Sequence, residues 1–314
     1  MGSSYIIKRV LRSFITLFLV CTIVFCLLRL MPIEGYFNNF DKMTPEQVQH
    51  QLEIKGLTDP LPVQLVRFYD DLFHGDLGSS SRYRPGVSIT EILGDKIPVS
   101  MFLGTLALGI SLLLGLPLGR LMTRCKDRLP DHLGTVFIVV IQAVPAVVYY
   151  LFIQMYGTDL LGLPLLFSKE NPITYVLPVF SLALGNIAYY AMWLRRYMID
   201  ESNKDYVKLA IAKGMNSREL MRRQIFRNAF VPLVQYIPTS FILTIVGSIY
   251  VESLYSIPGM GGLLVKCIQS QDNTIVQALV LIYAMLSIVG LILGDILMTL
   301  VDPRITFRKK EGAR

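Results

Sequence analysis

The chain has 314 residues, of which 53% are apolar and 17% charged, with a net charge of +7. A soluble domain carries roughly 25% charged residues, so this composition excludes an ordinary soluble protein and points to a polytopic membrane protein. Four cysteines without CxxC spacing and three scattered histidines give no disulfide framework, no zinc site and no HExxH centre.

A helix needs about 20 apolar residues to cross the hydrocarbon core. Six segments meet this: 10–31, 99–121, 133–156, 173–194, 230–251 and 275–301. Their spacing and weak alternation argue against a β-barrel. The first follows Lys8, Arg9 and Arg12. Its apolar run is long for a signal peptide and no small-x-small cleavage site follows, so an uncleaved span is expected.

Residues 32–98 are too long for a simple connection. Thr44 is placed to cap a helix that starts with Pro45. Pro60, Pro62 and the Gly75–Ser81 cluster punctuate the rest. Val63, Leu65, Val66, Phe68 and Tyr69 fall at helical spacing, so a small packed lobe is expected.

Lys and Arg collect on one set of loops. The N-terminus, the loop after the second span (Arg124, Lys126, Arg128), the loop after the fourth and the tail (Arg304, Arg308, Lys309, Lys310, Arg314) are basic. Residues 195–227 hold nine basic and four acidic residues, whereas 32–98 hold six basic and ten acidic. Both termini are therefore expected in the cytoplasm, with 32–98 outside.

In the loop 202–227, Ser202-x-x-Asp205 and Asn216-x-x-Glu219 each read as a capping box. The first helix runs to about Lys213, Gly214 suits its left-handed cap, and a second helix runs through Arg227. The first is expected to present Tyr206, Leu209 and Ala210 on one side. The second carries Arg218, Arg222 and Arg223. This compact basic knob fits docking of another chain. A loop that only contacts anionic lipid and a DNA-reading helix-turn-helix are the alternatives, and the second is disfavoured between two spans.

The spans hold few ionisable groups. Asp295 is the clearest, read as capping or pairing near the interface. Gln142, Asn186, Gln235, Ser240 and Thr244 are candidates to line a passage, or else to form hydrogen bonds between helices. Gly115-x-x-x-Gly119 and Gly290-x-x-x-Gly294 permit close helix approach, within the chain or against a partner. Pro117 and Pro145 are expected to kink their spans. No GxxxxGK[ST] loop occurs. Gly259–Gly262 lacks the Lys-Ser/Thr ending and reads as a tight turn before the last span.

Asp205-Tyr206-Val207, Ala210-Ile211-Ala212-Lys213-Gly214, Arg227-Asn228-Ala229 and Pro232 resemble the "EAA loop" of ABC-importer permeases, in the version of peptide and nickel importers. Asp59-Pro60 with Gln64, and Gly75-Asp76-Leu77-Gly78-x-Ser80, resemble the family's outer segment. Glu252-Ser253-Leu254, Ile257-Pro258-Gly259-Met260-Gly261 and Asp302-Pro303-Arg304-Ile305 resemble its C-terminal signature. The likeness covers nearly the whole chain and is greatest to the first permease subunit of oligopeptide and dipeptide importers. It departs where the Glu-Ala-Ala triplet falls on Lys208-Leu209-Ala210 and where a later proline falls on Arg227.

The resemblance implies an all-α membrane protein of six transmembrane helices in the type I ABC-importer fold. Its parts would be 1–31 (N-terminus and first helix), 32–98 (extracytoplasmic lobe), 99–301 (five-helix domain with coupling loop 202–227) and 302–314 (tail). It implies a non-catalytic permease, multi-pass in a bacterial or archaeal plasma membrane, importing short peptides. The chain would bind no cofactor and no metal; ATP and Mg would be held by partner ATPases. Those partners would be two ABC ATPase subunits, a second homologous permease and an extracytoplasmic substrate-binding protein, alongside membrane lipid and without nucleic acid. The ATPase-coupling residues implied are Asp205, Tyr206, Ala210, Gly214, Met215 and Arg218. Nickel or a metal chelate is the alternative cargo; an ion-coupled carrier or channel, or a membrane enzyme, is a different class.

Overall fold

A computed structural model describes residues 3–37 and 40–301. The described residues are mainly α-helical, and an isolated bridge between Ser79 and Ser88 is their β contact. The expected signature at 302–305 and the tail 302–314 lie outside them. The described chain divides into two compact units, a lobe unit of Ile6–Ser100 with Pro258–Ile288 and a bundle unit built chiefly from Met101–Ile257 with residues 289–301.

In the lobe unit, α1 (Ser3–Leu28) leads into a short 3-10 turn, Ile33–Tyr36. Helix α2 (Pro45–Ile54) begins as its sequence dictates. Thr44 Oγ1 accepts from Gln47 N at 3.3 Å, and Thr44 N donates to Gln47 Oε1 at 3.0 Å, a reciprocal capping box. Helix α3 (Leu61–Phe73) packs one face on α1. Phe68 meets Phe25 with ring centroids 4.8 Å apart, and Tyr69 stacks on Phe18 at 4.7 Å. Val63 and Val66, expected to help pack the lobe, lie on the exposed face. They sit at i and i+3 on the side away from Phe68.

Helix α4 (Ile89–Arg124) starts ten residues before the apolar window that marks its span. Its first turns bury Ile89, Ile92 and Leu93 within the lobe, so hydropathy alone misses them. The glycine cluster at 259–262 is a helix start, not a turn. Helix α11 (Met260–Gln269) begins there, buried, with Met260 N donating to Ser100 Oγ at 2.8 Å. Helix α12 runs Asn273–Val301.

The loop after α3 is held by one carboxylate. Asp272, fully buried, accepts through Oδ2 from Ser80 Oγ (2.7 Å) and the amides of Ser81, Arg82 and Tyr83 (3.1, 2.9 and 3.0 Å). Its Oδ1 accepts from Ile275 N at 3.3 Å, capping α12. Arg82 in turn donates to the carbonyls of Phe37 and Glu34.

In the bundle unit, α5 (Leu129–Ala143) and α6 (Ala146–Leu161) form a broken pair bent by 109°. Val144 is extended and Pro145 follows, as a residue before proline prefers. Helix α7 (Val176–Ser202) is central. After α8 (Asp205–Ala212) and the short turn α9 (Ser217–Glu219), a π-helical stretch, Leu220–Phe226, continues into α10 (Arg227–Leu254). The expected second loop helix is therefore the N-terminal extension of a span. Among the described residues, five helices are long and apolar enough to cross a membrane, or six if the bent pair is one span.

Both glycine pairs are used inside the chain. A Cβ at Gly115 would lie 3.0 Å from Ile187 O, and one at Gly119 would lie 2.6 Å from Ala191 O. Gly290 and Gly294 likewise face α10 at Ile242 and Gln235. Gly119→Ala is expected to cost about 1–3 kcal/mol, since it forces α4 from α7. Thermal unfolding of the purified protein in detergent checks this, with Gly109→Ala, which meets open space, as the unaffected control.

Candidate functional site: the loop knob between two apolar helices

The knob is fixed by chain-local chemistry first. Asp205 stands in the first turn of α8, 96% exposed, with Lys208 Nζ at 2.9 Å. The residue before α8 is Lys204, which makes no side-chain cap. The expected capping box from Ser202 does not form, because Ser202 still belongs to α7 and its hydroxyl donates to Ile199 O at 2.7 Å. At the other end Gly214 has φ +82°. Its amide donates to Ile211 O at 2.9 Å and that of Met215 to Ala210 O at 3.1 Å, the two bonds of a Schellman motif. Asn216 Oδ1 then accepts from Arg218 N at 3.1 Å to start the next helix. Glu219, expected to reach back to this cap, pairs instead with Arg223 at 2.7 Å.

Packing ties the knob to the bundle. Val207, Leu220 and Ile225 share one buried cluster with Tyr190, Leu194 and Met198 of α7 and Ala229 and Leu233 of α10. Tyr206, Ala210 and Met215 pack around it. Leu209, expected beside them, is 55% exposed, as is Ile211 at 58%. At 100° per residue Leu209 lies roughly 110° from the centre of the Tyr206–Val207–Ala210 face. Exposed Lys208, Lys213, Arg218, Arg222 and Arg223 surround this apolar pair in sequence.

A polar latch closes the base. Tyr206 Oη donates to Glu201 Oε1 at 2.5 Å and accepts from Asn228 Nδ2 at 3.0 Å, while Lys204 Nζ sits 2.6 Å from Glu201 Oε2. Desolvation and the Glu201 carboxylate push the Tyr206 phenol up to about 12, so it remains a donor at physiological pH. Sequence reasoning missed Glu201; its signal is only the i, i+3 spacing to Lys204. Tyr206→Phe is expected to cost about 1–2 kcal/mol and to speed amide exchange across 202–214, read by hydrogen–deuterium exchange.

Four of the five passage candidates lie on hydrogen-bonded seams between helices. Asn186 Nδ2 donates to Thr244 Oγ1 at 2.8 Å, Ser240 bonds Tyr190, and Gln235 Nε2 donates to Asp295 Oδ1 at 3.0 Å. Ser240 and Thr244 are buried. Gln142 stands apart on α5, exposed, its amide 3.5 Å from Met192 Sδ. Nearby, Asp131 is bound bidentately by Arg195, at 2.6 and 2.7 Å, a pair that the sequence did not announce. Among the described residues no His, Cys, Asp or Glu cluster could hold a metal ion.

Long apolar helices, close glycine-mediated crossings and a single helical knob between two of them define a polytopic helical membrane protein. Residues 115–307 match the family described as binding-protein-dependent transport system inner membrane component, and residues 3–96 match the N-terminal region of such membrane components. The chain belongs to this family. It is 32% identical to the dipeptide transport system permease protein DppB of Lactococcus lactis, over 96% of this chain and 98% of that one. It is 30% identical to DppB of Bacillus subtilis over 98% and 99%, and 28% identical to the oligopeptide transport system permease protein OppB of Escherichia coli over 96% and 99%. The fold is shared with a chain of an amino acid ABC transporter (TM-score 0.53, 22% identity, 69% of this chain and 95% of that one). It is shared also with a chain of the inward-facing MetNI methionine ABC transporter (TM-score 0.53, 14% identity, 68% and 97%).

Proposed function

We propose that this protein is the permease subunit of an ATP-driven peptide importer and that 202–227 couples it to separate ATPases. The observation that carries the coupling role is the knob itself. Its exposed Leu209 and Ile211 lie among basic residues, while its inner face shares a core with α7 and α10. A partner that moves the knob therefore moves two apolar helices with it. Differential stabilisation of two such arrangements by a nucleotide-driven partner is what coupling requires.

The peptide cargo rests on the full-length likeness to permeases named for dipeptides and oligopeptides. The basic loops support a cytoplasmic knob and cytoplasmic termini, with 32–98 outside. On this reading the chain works with a second homologous permease, two ATPases that hold ATP and Mg, and an extracytoplasmic binding protein, in a bacterial or archaeal plasma membrane. The proposed functional division is 1–31, 32–98, 99–301 and 302–314, although α4 reaches back to Ile89 and Pro258–Ile288 groups with the lobe unit.

The test is co-purification with ATPases encoded beside the chain, then uptake of labelled di- to oligopeptides against nickel with the cognate binding protein. Peptide uptake with peptide-stimulated ATP hydrolysis is expected. Gly214→Pro, which φ +82° forbids, is expected to abolish that stimulation while the subunits still co-purify. Nickel uptake alone, or full stimulation in the variant, would overturn the reading.

A further inference from the structure

The lobe unit carries a cavity of about 300 Å³, open on one side, that no step above uses. Arg29, Lys55, Arg67, Asp71, Asp76 and Gln64 line it, so both signs of charge face one small space. Two buried polar atoms of these residues have no hydrogen-bond partner among the described residues. One is a donor, Arg29 Nε. The Arg29 guanidinium is positioned by the Phe25 and Tyr36 rings, at 4.7 and 5.3 Å, which leaves that N–H without an acceptor. The other is an acceptor, Gln64 Oε1. Gln64 is only 8% exposed. Its Nε2 donates to Leu57 O (3.1 Å) and Asp59 O (2.7 Å), and those two carbonyls fix which end of the amide points where.

Unpartnered buried polar atoms are costly, and these two call for opposite partners. Arg29 Nε calls for an oxyanion. Gln64 Oε1 calls for an N–H, which the nearby carboxylates would favour in cationic form. Arg67 is already engaged by Asp59 at 2.7 Å, and Lys55 Nζ by Tyr36 O at 2.9 Å. Neither takes up the roles of Asp71 and Arg29. The cavity also has a place relative to the apolar helices. Arg29 directly follows α1, and the wall continues over Thr274, Ala278 and Leu281 in the first turns of α12. It lies at the ends of two candidate spans, where headgroups meet water.

We propose that this cavity binds a group carrying both an oxyanion and a primary ammonium. An aminophospholipid headgroup and a free short peptide share that chemistry. Arg29 would take the oxyanion, and Gln64 with Asp71 the ammonium. The proposal stands without the peptide-import reading, since a lipid headgroup satisfies it equally.

Native mass spectrometry of the delipidated full chain in detergent tests it with three probes: phosphatidylethanolamine, phosphatidylglycerol and trialanine. Retention of phosphatidylethanolamine, trialanine or both is expected, in preference to phosphatidylglycerol, which has no ammonium. Arg29→Gln and Asp71→Asn are each expected to weaken that retention about tenfold, the loss of one charge-assisted contact. Phosphatidylethanolamine alone would identify the source as lipid, and trialanine alone as a soluble ligand. Equal retention of phosphatidylglycerol, unchanged retention in the variants, or no retained probe would overturn the proposal. Asp71 is exposed, so its variant decides the matter should Arg29→Gln fail to fold.

Discussion

An Asp272→Ala chain is expected to lose about 4 kcal/mol of lobe stability, because several buried donors would lose their acceptor at once. The Ser80 hydroxyl and the amides of Ser81, Arg82 and Tyr83 all converge on one oxygen, and Ile275 N on the other. Amide exchange should show this directly, with protection at 81–83 collapsing while α10 is unchanged. The acid dependence has a definite sign. Burial pushes the Asp272 carboxyl up, but the amides of Tyr83 and Arg82, the Ser80 hydroxyl and Ile275 N–H outweigh it and hold the carboxyl below its ordinary value. A depressed native pKa contributes stability above the unfolded value, about 3.9, and that contribution is lost as pH falls through the lower folded value. Protection of the loop should therefore be flat from neutrality to about pH 4 and fall below it. An Asp272→Asn chain should lack this acid transition.

The second large effect is expected at Asp131. Its side chain is 3% exposed, and both its oxygens meet Arg195, which is 27% exposed. Asp127 N also donates to it at 3.0 Å. Asp131→Ala would strand a mostly buried guanidinium, at a cost of about 3 kcal/mol. The double variant Asp131→Ala with Arg195→Met should recover part of that loss, since it leaves no unpaired charge. Thermal unfolding of both variants measures the difference. If the double variant were no more stable than the single one, the cost would lie in packing between α5 and α7, not in the stranded charge.

Local rules made part of this legible beforehand. Thr44 with Gln47, Gly214 and Asn216 each act through neighbours within a few residues, and composition marks the apolar helices. What stayed hidden depends on partners far along the chain. Asp272 meets Ser80 across 192 positions and Arg195 meets Asp131 across 64. Neither pair has a spacing that sequence could flag. The misplaced Ser202 cap has a different cause. Helix α7 runs on through Ser202, which therefore cannot cap α8. Leu209 stands i+3 from Tyr206, but that spacing alone does not locate the centre of the buried face, from which Leu209 points away. Gln64 belongs to a local motif, whereas the cavity beside it exists only once α1, α3 and α12 are assembled.

The 109° break between α5 and α6 carries a requirement of its own. Around Val144 and Pro145 the helical ladder is interrupted, and the carbonyls that end α5 and the amides that open α6 have no continuing turn to receive them. Hydrocarbon offers such groups nothing, so irregular backbone at membrane depth survives only against protein or water. The exposed Val147, Val148 and Leu151 beside it therefore cannot all be read as a lipid-facing wall. Whatever lies over this corner, a neighbouring polypeptide or a wetted passage, must keep acyl chains away from it.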